Sequence, residues 1–237
     1  TGWDSIQGFE LGNELNKVLN DAIGAMTQAQ DVTQLRENIV PSNIRVYGPD
    51  THSYTQYSTS GRDWISNFSK IANIDAYTFH QYCMGSGPTL DPTRLNASFL
   101  NHTALEKCSQ GAEYVKVSAS GQDIVIAGET AAANKGGQSG ITDTYIDGFW
   151  FLYQLGVFAR LGVKQHFRQC FLASSGYPLV EVKTDDKLIT TNAFYETKFR
   201  KYIHSDYFSQ PYLSADLEAS ILNPLPDYWL YLLHSRL

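Results

Sequence analysis

Short apolar runs alternate five times along the chain with stretches whose apolar residues recur every three or four positions. Residues 6–11, 44–47, 74–82, 123–128 and 163–172 read as strands. The first is followed by a helix somewhere between 27 and 40. A second helix begins near Arg62 and carries Trp64, Ile65, Phe68 and Ile71 at helical spacing. A third spans about 92–114. The longest runs from about 143 to 161 and closes at Gly162. A last helix, 227–237, is entered through Pro224 and Pro226. Strands alternating with helices imply a parallel sheet, because each parallel neighbour needs a crossover.

Five such units fall short of the eight that close a (β/α)8 barrel. An open doubly wound sheet competes, but it places a Gly-rich phosphate loop after its first strand. Here that turn reads GNELNK. Residues 182–222 fit neither scheme, being polar, Tyr-rich and without clear alternation. They read as an inserted surface loop of low expected order, with a cleft-covering lid as the sharper alternative.

Composition narrows the class. Of 237 residues, 43% are hydrophobic and 18% charged, which suits a buried core. The net charge of −6 argues against nucleic acid as a partner, since phosphate binding needs a basic surface. In the most apolar region the longest uncharged run, 148–159, is far below the ~20 residues that cross a bilayer. Cys83, Cys108 and Cys170 show neither a CxxC pair nor metal-finger spacing. Sequons at Asn67, Asn96 and Asn101 are close to the about two expected by chance, so compartment stays open from the residues alone. With no initiator Met and no leader-like segment, the chain reads as a piece of something longer.

Two glutamates each end an apolar strand: Glu14 in GFELGNE and Glu129 in DIVIAGET. In a parallel barrel the carboxyl ends of the strands face the active site. One such Glu would pass as a solvated surface residue. LGNE, however, arises by chance in only ~0.1% of chains this long, and the second Glu follows three units later, as a pair across a barrel mouth requires. Glu10, four residues before Glu14, shares its strand parity but lies deeper.

These segments resemble glycoside hydrolase family 79, the heparanase family, within the clan of retaining glycosidases whose acid/base and nucleophile follow barrel strands 4 and 7. The matching stretches are YGPD (47–50), TFHQY (78–82), AGET with GG eight residues on (127–137), TDT (142–144), LGVFARLGV (155–163), RQCF (168–171), GYPLV (176–180) and NPLPDYWLYLL (223–233). The resemblance implies an α/β fold, a partial (β/α)8 TIM barrel made of units 4 to 8. Residues 1–181 would be the catalytic barrel part, 182–222 the insertion and 223–237 the final barrel helix. The first three units and a carboxy-terminal β-sandwich would lie elsewhere in the full protein, and the 237 residues alone would not form an active enzyme.

The implied activity is retaining hydrolysis of β-glucuronidic bonds in a heparan sulfate-like glycosaminoglycan. A hyaluronan-directed or exo-acting glucuronidase, or an inactive carbohydrate-binding relative, stands as the alternative. Glu14 would be the general acid/base and Glu129 the nucleophile, ~5–5.5 Å apart, with mutual repulsion keeping one of them protonated. By the same match Asn13 would bind the sugar 2-hydroxyl, and Tyr82 would contact the nucleophile. His80, of equal strand parity to Tyr82, would share the cleft. Lys135 and Gly136 fall where backbone amides receive the glucuronate carboxylate, and Gln169 and Tyr177 line that subsite. No metal or cofactor is implied, and localisation would be secreted or lysosomal. The stretch after YGPD, 51–63, holds Arg62 as its only Lys or Arg, where vertebrate heparanases carry a basic run. A less sulfated substrate would therefore suit it.

Overall fold

Gly8–Glu10 forms β1 and Ala22–Asn38 forms α1. Then come β2 (Arg45–Thr51), α2 (Thr59–Ser69), β3 (Ala76–Gln81), α3 (His102–Glu106), α4 (Gln110–Ser118), β4 (Val125–Thr130), α5 (Tyr145–Leu161) and β5 (Gln165–Arg168). This computed structural model describes residues 6–52, 59–119, 124–170, 172–173, 177–184, 187–188, 220–227 and 230. Helix α1 starts earlier than its apolar pattern suggests because Asp21 caps it, accepting the Gly24 N–H at 2.7 Å. The expected continuous helix over 92–114 is broken instead. A 3-10 segment, Pro92–Ala97, is interrupted at Arg94 and followed by α3, a second 3-10 turn (Lys107–Ser109) and α4. Asp91 favours that tight start, its side chain accepting from the Thr93 N–H.

The five strands lie side by side in chain order, β1-β2-β3-β4-β5. The pairings of β1 with β2, β2 with β3 and β3 with β4 are all parallel. A doubly wound sheet reverses its order at a switch point. None occurs here, so the sheet has barrel-type order. The structure divides into two compact units: residues 1–83, 102–130 and 153–167 form the first, and 84–101, 131–152 and 168–237 the second.

In the first unit, β3 is buried at every position, as expected for a central strand covered on both faces. Tyr77 and Phe79 enter a core with Val46, Trp64, Phe68, Val115, Val125 and Phe158. The alternate residues Thr78 and His80 face the other side of the pleat. The end of β3 is clamped by the segment leading into α4. Gly111 lies so close to Gln81 that a Cβ there would meet the Gln81 side chain at 2.0 Å. Cys83 and Cys108 form a disulfide, a pairing that sequence had left open. It closes a loop across a separation of 25 residues, worth about 3 kcal/mol in the chain-entropy account. Cys83→Ser with Cys108→Ser should lower unfolding stability by about that amount, read by denaturant titration of the oxidised protein beside the variant.

The second unit contains β6 (Leu172–Ala173), β7 (Val180–Thr184), β8 (Lys187–Leu188) and β9 (Ser220–Pro224). β7 pairs in parallel with β6 and antiparallel with β8 and β9. The two ends of the stretch 182–222, expected from their polarity to be irregular, are paired: Val182 with Leu222 and Thr184 with Ser220. Residues 185–186 and 189–219, on which the lid reading falls, lie outside the described residues, as does most of the expected last helix. Buried Arg168 lies between Asp147 (3.3 Å) and Asp227 (2.9 Å) and against the rings of Trp150 and Phe151. Burial first, then the Asp227 charge, push the Asp147 carboxyl well up.

Candidate active site

The carboxyl ends of β1 to β4 in the first unit bring together a chain of titratable side chains. Glu14 leaves β1 through a turn in the left-handed region (φ 54°) and begins a short 3-10 helix, Leu15–Lys17. Its N–H donates to the Asp50 carbonyl at 2.8 Å, and Asp50 itself sits at φ 55°. Two non-glycine residues in this region at one end of the sheet mark local strain, which clusters where geometry is functional. Gln28 on α1 supports the turn from behind, donating to the carbonyls of Leu11 (3.2 Å) and Pro49 (3.0 Å).

His80 is the hub. Its Nδ1 lies 2.9 Å from Glu14 Oε1 and its Nε2 2.8 Å from Asp50 Oδ1, with 2% of the side chain exposed. The same Nδ1 is 3.8 Å from Glu129 Oε1. The strand register sets this up: His80 pairs with Glu129 across a bulge between β3 and β4. Burial alone would lower the pKa of His80. The hydrogen bond and charge of Asp50, then Glu129 and Glu14, overcome it and raise the ring to about 9. His80 is therefore an imidazolium held among three carboxylates.

Tyr82, two residues on, donates its hydroxyl to Glu129 Oε1. Glu14 accepts from Lys17 Nζ at Oε2 and is 3.0 Å from His52 Nδ1 at Oε1. Burial would raise the Glu14 carboxyl, but hydrogen bonds from Lys17, His52 and His80 bring it down to about 2. For Glu14 this is the opposite of what repulsion from Glu129 alone would do: the donors gathered on its carboxyl decide its state. Deeper in the sheet, Glu10 is exposed as a residue, yet its carboxyl end sits with Asp50. Desolvation first, then the Asp50 charge, push it up. Gly128 makes room for both acids: a Cβ there would lie 3.0 Å from Asp50 Oδ1 and 3.1 Å from Glu10 Oε1.

Of the residues singled out from sequence, Glu14, Glu129, His80 and Tyr82 meet in this network, and Asn13 stands exposed beside Glu14. Lys135, Gly136, Gln169 and Tyr177 belong to the second unit. There the NKGG turn is a run of left-handed residues, with φ of 56° at Lys135, 84° at Gly136 and 71° at Gly137. Sequence gave no role to Lys17, His52 or Asp50. Asp50 stood in the YGPD motif and Lys17 one helical turn from Glu14, so both had a positional signal. His52 had none, because its contact with Glu14 exists only once β1 and β2 are paired.

The family model described as glycosyl hydrolase family 79, N-terminal domain, matches residues 2–156. The chain belongs to glycoside hydrolase family 79. It is 29% identical over 187 residues to baicalin-beta-D-glucuronidase of Scutellaria baicalensis, covering 77% of this chain and 35% of that protein. To the heparanase of Rattus norvegicus it is 25% identical over 237 residues, covering 97% of this chain and 36% of the relative. The chain thus spans about a third of the length of these relatives. Among solved structures it resembles a 4-O-alpha-L-rhamnosyl-beta-D-glucuronidase from Fusarium oxysporum 12S. That match has a TM-score of 0.53 and 18% identity over 75% of this chain and 41% of the other, a likeness of fold. No helix among the described residues is long and apolar enough to cross a membrane.

Proposed function

We propose that this chain carries the catalytic face of a retaining β-glucuronidase acting on a heparan sulfate-like glycosaminoglycan, with Glu129 as nucleophile and Glu14 as acid/base. The observation that carries the reading is the pair of carboxylates addressing one ring nitrogen of His80, at 2.9 and 3.8 Å. Their Oε1 atoms are no farther apart than about 7 Å, which admits the ~5–5.5 Å of a retaining pair. Glu129 attacks the anomeric carbon while Glu14 protonates the departing oxygen. Glu14 then takes a proton from the water that cleaves the glycosyl ester. Tyr82 donates to Glu129 and His80 lies beside it, so both orient its carboxyl group for attack.

The five units correspond on this reading to barrel units 4 to 8. Two apolar faces left open support it: Ile23 and Met26 on α1, and Tyr145, Phe149 and Leu152 on α5, are exposed at helical spacing. Units 1 to 3 and the sandwich belong to the full protein, and residues 182–222 are an insertion raised on the β7–β9 stem. The resemblance further assigns Asn13, Lys135, Gly136, Gln169 and Tyr177 to sugar recognition. A secreted or lysosomal location accords with the Cys83–Cys108 disulfide, which persists in oxidising surroundings.

The sparse cations of 51–63 favour hyaluronan or a lightly sulfated chain as a second reading of the substrate. Assay of the full-length protein on heparan sulfate and hyaluronan side by side separates the two. A mechanism-based glucuronide inhibitor should label Glu129 covalently, as read by peptide mass spectrometry. Labelling at another residue, or none, would overturn the assignment.

A further inference from the structure

We propose that Lys17 and His52 form an anion site for the leaving sugar and hold Glu14 out of its acid role until an anion on that sugar draws them away. The inference rests on the glucuronidase reading and adds to it a substrate requirement.

Three donors converge on one carboxylate, and they are not equivalent. His80 is fixed between Asp50 and Glu14 and is 2% exposed, so it cannot leave. Lys17 and His52 reach solvent, with 47% and 32% of their side chains exposed. Exposed ion pairs contribute little and exchange readily. The backbone places both residues firmly: Lys17 lies one turn after Glu14, its N–H donating to the Glu14 carbonyl at 3.0 Å, and the His52 N–H donates to Asn16 Oδ1 at 2.9 Å.

A general acid must carry a proton, yet Glu14 is surrounded by groups that favour its anion. Its Oε2 is occupied by the Lys17 ammonium and its Oε1 by His52 and His80. The acid of a glycosidase stands beside the departing oxygen, so its neighbours face the leaving sugar. An oxyanion on that sugar, a carboxylate or a sulfate ester, offers Lys17 the same charge that Glu14 does. When Lys17 turns to it, Oε2 is vacated and takes a proton from hydronium in the surrounding solvent, which leaves as water. That proton passes to the glycosidic oxygen as the C–O bond breaks, its electron pair leaving with the sugar while Glu129 bonds to the anomeric carbon. A neutral leaving group leaves the lysine on Glu14 and the acid unprotonated.

The test uses the full-length protein and three glucuronides with unactivated leaving groups of equal size: neutral, carboxylated and sulfated. The wild-type protein should favour the anionic pair by up to about fivefold in kcat/KM, the upper end of what an exposed ion pair contributes. Lys17→Met should bring that ratio to near unity and raise turnover of the neutral substrate, whereas Lys17→Arg keeps the preference. The exposed position lets the variant fold, and a circular dichroism melt checks it. The carboxylated and sulfated arms tell which oxyanion the site takes. A wild-type preference that survives in Lys17→Met, or no preference at all, overturns the inference and leaves the glucuronidase reading in place. Turnover of none of the three, with no labelling of Glu129, removes both.

Discussion

Glu129→Gln in the full-length protein should lower kcat/KM toward any glucuronide by about 10⁴-fold, roughly four steps of 1.36 kcal/mol. The substitution keeps the shape of the side chain, and its amide oxygen still accepts from the Tyr82 hydroxyl. On the proposed reading it removes the oxygen that would form the glycosyl ester, so the loss should fall on the chemical step and the melting temperature should hardly move. Glu14→Gln provides the contrast. An acid matters least when the leaving group departs unaided, so this variant should retain most of its turnover on an aryl glucuronide with an acidic phenol and lose it on an alkyl one. Equal sensitivity of both variants to leaving group, or a loss under tenfold for Glu129→Gln, would refute the division of labour.

What sequence made legible was whatever lies along one strand. β1 and β4 announce themselves as apolar runs ending in Glu, and the GNELNK turn, lacking a Gly-rich phosphate loop, already weighs against a doubly wound sheet. The bulge that sets His80 beside Glu129 joins two strands 49 residues apart in the chain, and no local pattern encodes it. The state of Glu14 was misjudged for the same reason: its proximity to Glu129 was inferred from motif positions, whereas Lys17 and His52 act through the fold of a turn. The helix expected over 92–114 failed on capping chemistry, with Asp91–Pro92 starting a tight turn instead of a regular helix. The short paired strands at the two ends of 182–222 were hidden by polarity, since a few paired residues need no long alternation.

The hub of the site should be its most sensitive structural element. His80→Leu should destabilise the protein by about 3–5 kcal/mol near pH 6, because it removes a buried cation and leaves Asp50, Glu14 and Glu129 facing one another. The dependence on pH distinguishes this from a packing defect. His80 titrates at about 9 in the folded protein against an ordinary 6.5, so folding binds a proton there. Its stabilisation is fully present below pH 6.5 and is lost as pH rises through 9, a difference of about 3 kcal/mol at roughly 1.4 kcal/mol per unit. Glu14 behaves oppositely: its carboxyl is held at about 2 against 4.5, so its contribution is present above pH 4.5 and disappears as pH falls toward 2. Both are therefore intact between pH 4.5 and 6.5, and wild-type stability should decline from pH 6.5 to 9 more steeply than that of the variant. Urea unfolding of the two proteins at pH 6 and pH 9.5 measures it. The gap between them should shrink by about 3 kcal/mol on the alkaline side; a gap independent of pH would mean that His80 is a neutral core residue and that the carboxylates are held in place by something other than its charge.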